Sequence, residues 1–78
     1  MTGDDLRKAR VELGRMWRLK RPVQASELGR AMGWSPEQDA GQVIRRHERA
    51  RTKPVPVPLA CAVQMMLRGA LPPQGLPD

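Results

Sequence analysis

The stretch Gln24–Arg49, QASELGRAMGWSPEQDAGQVIRRHER, decides the fold. Its first part places Ala25, Leu28 and Met32 on one face of a helix over residues 23–32. Gly33 follows directly, where a helix end favours a glycine in the left-handed conformation. The last part, VIRRHER, reads as a second helix rich in arginine. Two starts are open for it. Ser35-Pro36-Glu37-Gln38 has a capping serine, proline at the first helical position and glutamine at the third. Asp39-Ala40-Gly41-Gln42 offers a cap with the same spacing. A short turn at 36–38 and a main helix over 40–49 keep Gly41 near an end, where its cost of about 1 kcal/mol in a helix interior is reduced.

Outward from this unit the chain stays helical. Leu6, Ala9, Leu13 and Met16 or Trp17 follow helical spacing over residues 4–17. Thr2 precedes Asp4 and Asp5, which suit the positive end of a helix dipole. Arg18–Pro22 is a basic connection. In Arg51–Pro58, RTKPVPVP, alternating prolines impose an extended path. A fourth helix is expected over 58–68, with Leu59, Ala62, Val63, Met66 and Leu67 facing the core. The fold class is therefore all-α, a compact four-helix domain over residues 1–69. Residues 70–78 are expected to form a flexible tail.

Composition agrees with one small domain. The chain has 78 residues, 40% of them hydrophobic, so it can bury a single modest core. With only Trp17 and Trp34 as aromatics, that core must be aliphatic, which suits packed helices better than a sheet. The formal net charge of +6, from 14 Lys and Arg against 8 Asp and Glu, favours a polyanionic partner. One cysteine, Cys61, gives no internal disulfide and no metal framework. Neither a signal peptide nor a membrane span is expected, so the expected compartment is the cytoplasm.

A helix, a glycine turn and a second, arginine-rich helix make the order of a helix-turn-helix, whose second helix lies in the DNA major groove. Gly29 and Gly33 fit its close-approach and turn positions. The flanks extend this into a resemblance to the lambda-repressor-like helix-turn-helix family, also called the Cro or XRE type. LRKARVELG at Leu6–Gly14 looks like its opening helix, and QASELGRAMGWS at Gln24–Ser35 is similar to its second helix and turn. VIRRHERA at Val43–Ala50, with Glu48, looks like its recognition helix. PVPLACAVQMML at Pro56–Leu67 resembles the closing helix of small bacterial members. The likeness covers residues 4–68. Gly29 stands where alanine is usual, and His47 where an aromatic is common. The turn between Gly33 and Val43 is about five residues longer than the family's tight form. Lys20-Arg21-Pro22 lengthens the first connection.

The candidate site follows from residue chemistry on that frame. Arg45, Arg46 and Arg49 can grip guanine bidentately, and Gln42 near the helix start can pair with adenine. Arg18, Lys20, Arg21, Gln24, Arg51 and Lys53 are expected to hold phosphates. Trp17 and Trp34 are expected to close the core rather than stack on bases, and His47 to be a core or capping residue. No nucleophile has an evident base, so no enzyme activity and no cofactor are expected. The resemblance implies a transcriptional regulator, a repressor that binds an inverted-repeat operator on double-stranded DNA as a homodimer. Cys61 and Met65, on the outward side of the fourth helix, are the expected dimer contacts. No small-molecule effector and no membrane partner are expected. Two other readings use the same fold: a protein-interaction module (an antitoxin or antiactivator) and a DNA-bending excision or architectural factor.

Overall fold

A computed structural model of the chain describes residues 1–34, 40–72 and 75. Among these residues four helices follow one another: α1 Gly3–Met16, α2 Ala25–Ala31, α3 Ala40–Arg49 and α4 Val57–Leu67. Among the described residues there is no strand, and an isolated bridge pairs Thr2 with Pro54. The expected capping serine at Ser35 and cap at Asp39 both lie outside the described residues.

α1 begins at a reciprocal cap. The Thr2 hydroxyl accepts from the Asp5 N–H (3.3 Å), and the Asp5 carboxylate accepts from the Thr2 N–H (2.9 Å). That Thr2 N–H holds the Asp5 carboxyl below its ordinary value. The N–H groups of Gly3 and Asp4, which no helix can satisfy internally, donate to the carbonyls of Lys53 and Arg51. The α3–α4 connection is thereby tied to the start of α1. Leu6, Ala9 and Leu13 are buried along one side of α1. Of the two candidates for the next inward position, Trp17 packs against the core and Met16 is exposed.

α2 is shorter than expected, and the cause is local. Val23 is fully buried ahead of the helix, its N–H donating to the Arg10 carbonyl. The helix starts only after Gln24, whose N–H donates to the Glu27 carboxylate (2.9 Å). Its end is a Schellman motif: Gly33 N–H reaches Arg30 O, Trp34 N–H reaches Gly29 O, and Gly33 carries φ 89°. α4 starts at Val57 with Pro58 in its first turn, where the missing N–H costs nothing. It closes in a second Schellman motif, with Gly69 N–H to Met66 O and Ala70 N–H to Met65 O.

The core lies where α3 packs on α1 and α2 and where α1 packs on α4. Leu6, Leu13, Val23, Leu28, Ile44 and Val63 are fully buried there. Each contributes about 1.5–3 kcal/mol of hydrophobic stabilisation. On α4, Leu59, Val63 and Met66 are buried while Ala62 and Leu67 are half-buried. Past α4, the N–H of Ala70 bonds to Met65 O and Pro72 is buried. No helix among the described residues is long and apolar enough to cross a membrane.

Candidate nucleic-acid interface

α3 divides cleanly into two sides. Gly41 and Ile44 are buried, and Val43, His47 and Glu48 are half-buried. Gln42, Arg45, Arg46 and Arg49 are exposed. These four follow i, i+3, i+4, i+7 spacing, which aligns them in one stripe along the helix. The stripe lies on the exposed side of α3. It holds three guanidiniums and one amide, with no carboxylate among them.

An ion pair fixes how the stripe is presented. Arg10 on α1 donates to both carboxylate oxygens of Glu48, from Nε at 2.6 Å and from Nη2 at 2.5 Å. Its third arm donates to the Val23 carbonyl at 2.9 Å. One side chain thus ties α1, α3 and the segment before α2. With Glu48 held inward on the core side of α3, its neighbours Arg45 and Arg49 stand on the groove between α1 and α3. Arg7, Gln42 and Arg51 also line that groove. Arg46 does not border it, so the three arginines of the stripe occupy two flanks.

The expected phosphate contacts lie in different environments. Arg18 and Lys20 are exposed and have positive φ, 59° and 61°, on the connection after α1. Leu19 between them packs against the core and donates its N–H to Gly14 O, so the flanking side chains are turned outward. Arg21 has a partner within the chain: its guanidinium donates to both oxygens of Glu27, at 2.6 and 2.9 Å. The Arg21 hydrogen bonds hold the nearly buried Glu27 carboxyl below the usual glutamate value, and Glu27 in turn raises Arg21. Gln24 is the exposed N-cap of α2. Arg51 meets Asp4 at 3.3 Å but is largely exposed, and Lys53 is exposed with no ion pair among the described residues.

Gly29 is buried on α2, and its carbonyl takes the second bond of the Gly33 turn. Cys61 and Met65 are both exposed on α4, and Val57, one turn before Cys61, is exposed as well. Trp34 and Met32 pack partly on the core and border an apolar hollow with Leu59, Met65 and Leu71. The described residues contain no group of three or more His, Cys, Asp and Glu that could hold a metal ion.

Arg7 and Arg10 are absent from the contacts expected from sequence. No local signal finds Arg10, because its partner Glu48 lies on another helix. Arg7 stands one turn before Arg10 on the exposed side of an ordinary amphipathic pattern. Compared with known proteins, the chain matches no family model, no curated protein and no solved structure.

Proposed function

We propose that this protein is a sequence-specific DNA-binding transcriptional regulator of the lambda-repressor-like helix-turn-helix type. The observation that carries the reading is the exposed stripe Gln42, Arg45, Arg46 and Arg49 on α3. In the proposed complex α3 lies in the major groove. Arg45 and Arg46 donate bidentately to guanine O6 and N7, and Gln42 pairs with adenine. Arg18, Lys20, Gln24 and Lys53 hold phosphates on either side and fix the register. Arg21, already engaged by Glu27, lends charge to the same flank.

The proposed action is repression by occupancy in the cytoplasm. Two copies related by a two-fold axis read an inverted repeat whose half-sites are about 34 Å apart, and the bound dimer blocks polymerase. The copies meet through the outward face of α4, where Val57, Cys61 and Met65 stand at four-residue spacing. No charged residue lies within α4, so two cationic chains can approach there without opposed charges.

The test compares a duplex from immediately upstream of the gene with a random duplex. Arg45→Ala or Arg46→Ala should weaken the specific complex by about 1–3 kcal/mol more than the random one. Equal losses on both duplexes would reduce these arginines to phosphate contacts. A second reading is favoured by the apolar hollow beside α4: a protein-interaction module whose partner covers Met65 and Leu71. A wild-type chain that binds neither duplex would support that reading.

A further inference from the structure

We propose that the groove between α1 and α3 seats a backbone phosphate of duplex DNA, gripped by Arg7 together with Arg49 and Arg51. This rests on the duplex-binding reading above and adds a helix that base reading does not use. Asp4, Arg7 and Arg10 recur every three residues, so they share one side of α1. All three line the groove, facing Arg45 and Arg49 on α3 and Arg51 on the connection to α4.

The charges in this groove do not balance. Arg10 and Glu48 neutralise each other through two short bonds. Arg7, Arg45 and Arg49 have no ion pair among the described residues. The remaining carboxylate of the groove, Asp4, meets Arg51 through a single contact of 3.3 Å, and the Arg51 side chain is 73% exposed. Such a pair is weak in water and readily exchanged. The groove therefore offers planar guanidiniums in excess of carboxylates, the arrangement suited to a bidentate phosphate grip. Because it borders the exposed stripe of α3, a duplex lying along that stripe brings one strand's backbone over it. On binding, Arg51 exchanges Asp4 for the phosphate, while Arg7 closes the seat from the α1 side.

α1 supplies its own control. Lys8 follows Arg7 directly but lines a different groove, between α1 and α4, beside Asp5 and Glu12. Arg7→Ala and Lys8→Ala remove the same charge from adjacent exposed positions, and circular dichroism melts confirm that both chains stay folded. Binding of the full-length variants to fluorescent specific and random duplexes is measured across a salt series. Arg7→Ala should weaken both complexes by a similar several-fold factor and lower the log–log salt slope by about 1. Lys8→Ala should remain near wild type. Asp4→Asn should tighten both complexes, because it releases Arg51; unchanged affinity would contradict the part given to Arg51. Equal effects of Arg7→Ala and Lys8→Ala would overturn the groove while leaving duplex binding intact. A wild-type chain that binds no duplex would overturn the reading beneath it as well.

Discussion

Arg10 and Glu48, 38 residues apart in the chain, form a two-bond ion pair that joins α1 to α3. Their side chains are 18% and 9% exposed, so neither charge is well hydrated if the other is removed. Arg10→Ala and Glu48→Ala should each cost about 3 kcal/mol, the lower end for breaking a buried pair. The double variant should lose clearly less than the sum, because no stranded charge remains. Urea melts of the four chains measure this coupling. Additive losses would show that the two residues act independently.

Glu27 gives the fold a defined acid sensitivity. Its carboxyl, held down first by hydrogen bonds from Arg21, is more acidic folded than unfolded. The stabilisation is therefore complete above the ordinary glutamate value of 4.5 and disappears as pH falls below it through the depressed folded value. Glu27→Gln should melt below wild type at pH 7, and the gap should close as the pH is lowered under 4.5. A constant gap across that range would mean that Glu27 acts by packing alone.

Two glycines should resist substitution for different reasons. Within α1, Gly14→Ala would gain roughly 1 kcal/mol of helix propensity. Yet the added Cβ would fall 2.0 Å from the Arg21 carbonyl oxygen and 3.0 Å from Pro22 Cα, both backbone atoms. The clash should dominate and lower the melting temperature. Gly33→Val meets a backbone restriction instead, since φ 89° is strongly disfavoured for a β-branched side chain. It should destabilise by more than the roughly 1–2 kcal/mol of an ordinary left-handed residue. Unchanged melting in either variant would remove that glycine from its assigned place.

The helices were largely legible in the sequence, because local rules set them. Gly33 ends α2, α3 spans the expected 40–49, and prolines keep 54–56 out of helix before α4, although Arg51–Lys53 form a turn closed by Lys53 N–H to Ala50 O rather than the expected extended path. Boundaries moved where tertiary structure intervened. Buried Val23, bonded to Arg10, shortens α2, and the cap at Thr2 starts α1 one residue early. The basic residues were visible as a set, but their division was not. Arg10 and Arg21 hold the fold while Arg45, Arg46 and Arg49 stand free of ion pairs among the described residues, and only the packing of α1, α2 and α3 separates them.

The dimer makes its own demand on α4. Met65 is 60% exposed and Val57 72%, with Cys61 between them. Met65→Glu should place like charges near the two-fold axis, shift the chain towards monomer and weaken operator binding without changing its melting temperature. Sedimentation over a range of concentrations tests this. A wild-type monomer throughout, or a dimer indifferent to Met65→Glu, would reject α4 as the interface.

Salt dependence of wild-type binding to duplex DNA tests the central claim most directly. Arg7, Arg18, Lys20, Arg49, Arg51 and Lys53 are exposed cations around the α3 stripe and its flanks. About six neutralised phosphates predict a slope near −5 in a plot of log affinity against log salt. A duplex affinity almost independent of salt would contradict the account.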